Sequence, residues 1–196
     1  MVEPPLPTVF PYNVDVPESL LQTKLHVLPI RPNLAPRWRL IERLNQGLQP
    51  GRKLTLISAP AGYGKTTSLI EWVHSSRSPI GWLSLDRADN DFECFFRYLV
   101  TAWEEVQPGV MESPLGILVG TMSPDNEAVL AAFINLASEL ANHTGFILDD
   151  YHLIEEPSIQ QALTFLLDHL PAKVHFVLAS RGEAPLPTLS ASNVLR

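Results

Sequence analysis

Residues Lys53–Thr67, KLTLISAPAGYGKTT, decide how the rest of this chain is read. Lys53–Ala59 alternates and then fills with apolar residues, the pattern of a buried parallel strand. Ala59–Thr66 spells A-x-x-x-x-G-K-T, a Walker A loop with alanine where the first glycine usually stands. Such a loop turns successive backbone N–H groups toward phosphate oxygens, and Gly62 and Gly64 supply the dihedrals that this needs. In that reading Ala59, Pro60, Ala61, Gly62, Tyr63, Gly64, Lys65, Thr66 and Thr67 form the phosphate-binding segment. Lys65 reaches the outer phosphates and the Thr66 hydroxyl ligates a magnesium ion. A helix opens at Thr66, so its N-terminal dipole adds to the attraction for anions. Leu69, Ile70, Trp72 and Val73 follow at helical spacing, which completes the strand–loop–helix context that the motif demands. Alanine at position 59 is acceptable provided that its φ is negative.

Outward from this stretch, strands and helices alternate. Toward the N-terminus, Arg37–Leu48 places Leu40, Ile41, Leu44 and Leu48 on one helical face, with Arg39, Glu42 and Arg43 in solvent. Residues 1–36 carry eight of the 18 prolines and no periodicity, as expected of an extended arm. The later part of the arm, Leu20–Pro36, has enough apolar residues to drape over the domain of residues 37–196.

Toward the C-terminus, Pro79–Leu85 is a second strand. Asp91 can cap a helix over Phe92–Val106, whose stripe of Phe92, Phe95, Phe96, Leu99, Trp103 and Val106 is core packing. Cys94, the one cysteine, falls inside this pattern and reads as a structural thiol. Residues Gln107–Pro124 are expected to be irregular, with a short apolar plug at Leu115–Val119. A helix over Asp125–Asn142, a strand over Gly145–Asp150, a helix over Glu155–Leu170 and a strand over Val174–Ala179 complete the pattern. The tail after Arg181 looks like loop.

Alternation of this kind implies a parallel sheet with helices on both faces, and ligands at the carboxyl ends of its strands. The Walker A loop, Asp149 and Arg181 all fall at such ends. An apolar strand ending in Asp149-Asp150 is the Walker B pattern: Asp149 joins Thr66 around magnesium, largely through bound water. Asp150 either orients the attacking water or merely holds Asp149. Arg181 either stabilises γ-phosphate charge or pairs with the aspartates. His152 reads as a turn-fixing residue.

Composition narrows the function classes. With 45% hydrophobic and 18% charged residues the chain is a globular domain, not a disordered segment. A formal net charge of -7 without a Lys/Arg cluster argues against direct nucleic-acid binding by this segment. The start lacks the basic and apolar regions of a signal peptide, and no apolar run reaches membrane-spanning length. A cytoplasmic location follows by default.

APAGYGKTT, WLSLDRADNDFECFFRYLVTAW, FILDDYHLI and VLASRGEAPLPTL together resemble the large ATP-binding transcriptional regulators of the LuxR type, which are signal-transducing (STAND) P-loop ATPases. The likeness runs from about Leu20 to Arg196. It implies a three-layer α/β P-loop NTPase of the ASCE/STAND type with a mostly parallel sheet. Its fifth and last strand would come soon after Arg196, so the chain is expected to be C-terminally truncated. The resemblance also implies ATP/ADP and Mg2+ as cofactors. Lys65 and Thr66 would be the nucleotide and magnesium residues, Asp149 the metal acid, Asp150 the catalytic acid and Arg181 the sensor. Pro36 and Arg37 fall where related ATPases contact adenine, or else anchor the arm. Relatives add a winged-helix module, a helical repeat array that receives an inducer, and often a DNA-binding module, none of which is expected within these residues.

The implied function is a nucleotide switch: ATP favours an open, self-associating state and slow hydrolysis resets it. The alternatives are a dedicated ATPase motor or loader, and a remnant that binds nothing usefully.

Overall fold

A computed structural model describes residues 20–30, 37–49, 51–121, 124–182 and the backbone of 192–195. Five strands form one parallel sheet: β1 (Leu54–Ser58), β2 (Ile80–Ser84), β3 (Thr144–Asp149), β4 (Val174–Ser180) and β5 (Ser192–Leu195), in the order β2-β3-β4-β1-β5. The helices are α1 (Trp38–Gly47), α2 (Lys65–Ser75), α3 (Phe92–Glu104), α4 (Pro114–Val119), α5 (Asn126–Ser138) and α6 (Pro157–His169).

Successive side chains of the central strands point to opposite faces and build two separate cores. Phe146, Leu148, Phe176 and Leu178 pack with α3, α5 and α6, whereas Ile147, Val177 and Ala179 pack with Ile41 and Leu44 of α1 and Leu69, Ile70 and Trp72 of α2. This is the three-layer arrangement that the alternating sequence implied. On the larger side, the rings of Trp103, Phe133, Phe146 and Phe176 run from α3 and α5 onto the sheet, with neighbouring centroids 4.7 to 5.5 Å apart. The aromatic stripe is therefore core, as expected, although Phe92 at its start and Cys94 within it are only half-buried.

Two expectations need correction. The fifth strand is not beyond Arg196. Residues 192–195 pair in parallel with β1, Leu54 opposite Ser192 and Ile57 opposite Leu195. A four-residue edge strand shows too little alternation to stand out, and parallel pairing with a strand more than 130 positions away leaves no local trace. Gln107–Pro124 is not wholly irregular either. Ser113 accepts from the Gly116 N–H and Pro114 sits in the first turn, which starts α4 and buries Leu115 and Val119.

The part of the arm described here does lie on the domain. Gln22–Lys24 makes one 3-10 turn beside β2, and Leu20, Lys24 and Leu25 are buried. Residues 1–19, Pro36 and 183–191, on which the extended arm, one adenine contact and most of the loop-like tail were placed, lie outside the described residues. Among the described residues no helix is long and apolar enough to cross a membrane.

Candidate functional site

The sheet order places the carboxyl ends of β3, β4 and β1 side by side, and each carries one part of the constellation named from the sequence. The loop Ala59–Gly64 leaves β1 and enters α2. Gly62 and Gly64 have φ of 82° and 76°, conformations that a side chain would strain, whereas Ala59 is not among the positive-φ residues. Gly64 is the N-cap of α2 and no side chain caps that helix, so its first N–H groups are available to an anion. The loop from Pro60 to Tyr63 is exposed while Lys65 is buried to 9% exposure. The Lys65 ammonium turns back to donate to the Ala59 carbonyl at 2.7 Å and the Pro60 carbonyl at 3.2 Å, across the mouth of the loop.

Thr66, in the first turn of α2, donates from Oγ1 to Oδ2 of Asp149 at 2.7 Å. This contact spans 83 residues and joins α2, which follows β1, to the end of β3, on the far side of β4 in the sheet. Asp149 is 4% exposed. Burial drives its carboxyl above the ordinary carboxylate range, opposed by the Thr66 hydroxyl and the Asp150 N–H, which donates to Oδ1 at 3.0 Å. A cation next to a desolvated carboxylate relieves such a penalty, so a hydroxyl and an acid at this spacing fit magnesium.

Asp150 adopts φ 55°, the left-handed region, so its side chain leaves the strand on a course different from that of Asp149. Its Oδ1 lies 3.7 Å from Arg181 Nε and 3.8 Å from His152 Nδ1. Burial lowers the His152 pKa, which favours a neutral ring, and its Nδ1 has no hydrogen-bond partner among the described residues. Arg181 follows β4 directly and is half exposed. The tip of β4 is tied to the loop: Ala59 N–H donates to the Ser180 carbonyl and Ser58 Oγ to the Gly182 carbonyl. Loop, acid pair and late arginine thus lie beside one another at the carboxyl ends of β1, β3 and β4.

Arg37 Nη1 donates to the Tyr63 carbonyl at 2.8 Å, and its guanidinium would meet a side chain added at Gly64 at 3.2 Å. It braces the loop from the side. Nothing in the residues themselves singled out the segment Leu28–Ile30. A cavity of about 150 Å3 separates it from Thr66, Thr67, Ile70 and Glu71 on α2, and Leu28 and Ile30 stay 59% and 47% exposed beside it. The only available signal was the apolar character of the late arm.

No family model matches the chain. It is 35% identical over 170 residues to the HTH-type transcriptional regulator MalT of Yersinia pestis (strain Pestoides F), covering 85% of this chain and 18% of MalT. By sequence the chain is similar to one part of MalT. The resemblance first drawn from FILDDYHLI and its companion blocks is thereby borne out, and the chain spans under a fifth of the length of the regulators it matches. Among solved structures the chain is similar to Cdc6p from Pyrobaculum aerophilum (TM-score 0.58, 14% identity, 89% of this chain and 49% of that one). It is also similar to a Walker-type ATPase of Pyrococcus abyssi (TM-score 0.50, 14% identity, 82% and 49%). At such identity the likeness concerns the fold alone, a three-layer α/β fold of the P-loop type.

Proposed function

We propose that the chain is the ATP- and Mg2+-binding switch domain of a longer, MalT-like transcriptional regulator, with slow hydrolysis returning it from an ATP-dependent active state. The observation that carries this reading is the 2.7 Å contact between Thr66 and Asp149, which brings the helix behind the phosphate loop onto the acid at the tip of β3. Magnesium, when bound, neutralises phosphate charge. Thr66 and Asp149 hold it, the loop N–H groups and Lys65 bind the phosphates, and Leu28, Pro29 and Ile30 wall the base. Asp150 orients the attacking water, and Arg181 answers to the γ-phosphate. A switch of this kind works through different affinities for two states, not through fast turnover. Winged-helix, helical-repeat and DNA-binding modules of the longer regulator would receive the state, the working compartment would be the cytoplasm, and ATP would promote self-association.

Calorimetric titration with MgATP and MgADP tests the reading. The chain should bind both, and Lys65→Ala should weaken binding about ten- to a hundredfold, the worth of roughly 1.5–3 kcal/mol of charge-assisted hydrogen bonding. Failure of the native chain to bind either nucleotide, or undiminished binding by the variant, overturns it.

A further inference from the structure

Lys24 has no part in the chemistry proposed above, yet it is among the most elaborately held side chains of the molecule. It is buried to 8% exposure. Its Nζ donates to Asp89 Oδ1 and Oδ2 at 2.7 and 2.9 Å, sits 2.9 Å from Asp86 Oδ2, and lies 4.8 Å from the centre of the Tyr98 ring. Asp89 is fully buried, and its Oδ2 also accepts from the Asp86 N–H at 2.7 Å. Beside this cluster the Leu21 N–H donates to the Tyr98 hydroxyl at 3.0 Å, and Leu20 and Leu25 enter the larger core. Burial works against the lysine charge, but the bonds and charges of Asp89 and Asp86 outweigh it and hold its pKa above the ordinary value.

A buried ion pair is a poor source of net stability, because desolvation consumes most of the Coulomb gain. What it does confer is a fixed position. Here the position fixed is that of the strap Leu20–Ile30 against the turn Asp86–Asp89. Leu28 lies only four positions after Lys24, at most about 14 Å of extended chain, so the clamp leaves little slack in the wall of the cavity beside α2.

We propose that Lys24 is a positioning residue for the base-recognising side of the crevice: its clamp on Asp86 and Asp89 holds Leu28, Pro29 and Ile30 against Thr67, Ile70 and Glu71, and thereby selects a nucleoside triphosphate over bare triphosphate, an assignment that rests on the nucleotide binding proposed above. The phosphate loop itself is held by Arg37 and by the tip of β4, and of the phosphate-binding segment only Thr66 and Thr67, past the loop, line the strap's cavity. Loosening the clamp therefore costs base recognition and spares phosphate recognition.

The test compares MgATP with magnesium tripolyphosphate on the native chain and on the double variant Lys24→Met/Asp89→Asn, which removes the ion pair without stranding a buried carboxylate and keeps an acceptor for the Asp86 N–H. The expected result is at least a tenfold loss of ATP affinity with tripolyphosphate affinity unchanged. Equal losses for both ligands, or unchanged ATP affinity, overturn the proposal. A native chain that binds neither ligand defeats the nucleotide reading itself and takes the strap's role with it, a result seen before any variant is made. Should the variant fail to fold, hydrogen exchange on the native chain decides. Amides of residues 25–30 should slow with MgATP and not with tripolyphosphate, and no difference between the two overturns the proposal.

Discussion

Asp149 and Asp150 are neighbours in sequence with opposite fates in the fold. Asp149 ends β3 in extended backbone, buried and bonded to Thr66, whereas Asp150 is the one described non-glycine residue with positive φ and faces Arg181 and His152. Backbone strain of this sort persists where the surroundings enforce it, and it clusters at functional positions. Asparagine tolerates the left-handed region, so Asp150→Asn removes the charge without disturbing the turn. In single-turnover hydrolysis of MgATP this variant should fall by about 10²–10⁴-fold, the usual contribution of a general base. An unchanged rate would reduce Asp150 to a support for its neighbour. At this scale the sequence marked the candidate residues wherever the signal was contiguous: the loop Ala59–Thr66, the pair Asp149-Asp150, and Arg181 just past its strand. It was silent on Lys24, whose partner Asp89 is 65 positions away, and on Leu28–Ile30, whose apolar side chains resemble any stretch of a linker until α2 appears opposite them.

Elements are fastened to one another by a few buried polar groups. His175 on β4 is 3% exposed, with Nδ1 2.9 Å from the Arg52 carbonyl and Nε2 3.0 Å from Thr55 Oγ1 on β1, under Gly47 at the end of α1. Burial holds its pKa below the ordinary value, opposed by the Arg52 carbonyl and aided by the Arg52 charge. The folded chain therefore resists the proton that the unfolded chain accepts at about pH 6.5. The neutral ring's contribution is intact above that pH and is lost as the pH falls below it toward the depressed folded value. Urea midpoints should accordingly drop between pH 7.5 and 5.5, and His175→Gln should flatten part of that slope. An identical slope in the variant would show that the drop arises elsewhere. Strand and helix types were legible at this level because each has its own period. Their ends were less so: α5 stops at Ser138, four residues short of the expected Asn142, and β5 was missed because its pairing with β1 is wholly non-local.

Across the whole molecule, three neighbouring strand tips converge on one crevice, with α1 and α2 on one face of the sheet and α3 to α6 on the other. The order β2-β3-β4-β1 places the strand before the glycine loop two positions from the strand that ends in Asp149. The distance between them is then bridged by the Thr66–Asp149 contact and by the ties from β4 to the loop. A domain built in this way can respond as a unit to what occupies the crevice, which is the requirement for a switch. The resemblance to longer regulators supplied that overall plan, and the alternation of strands and helices supplied the layers.

The decisive measurement is the magnesium dependence of ATP binding. For the native chain, affinity measured with magnesium should exceed affinity measured in chelator, and Asp149→Asn should abolish that difference while leaving metal-free binding in place. If Asp149→Asn keeps the full enhancement by magnesium, the crevice at the tips of β1, β3 and β4 is not where the metal-bound triphosphate sits.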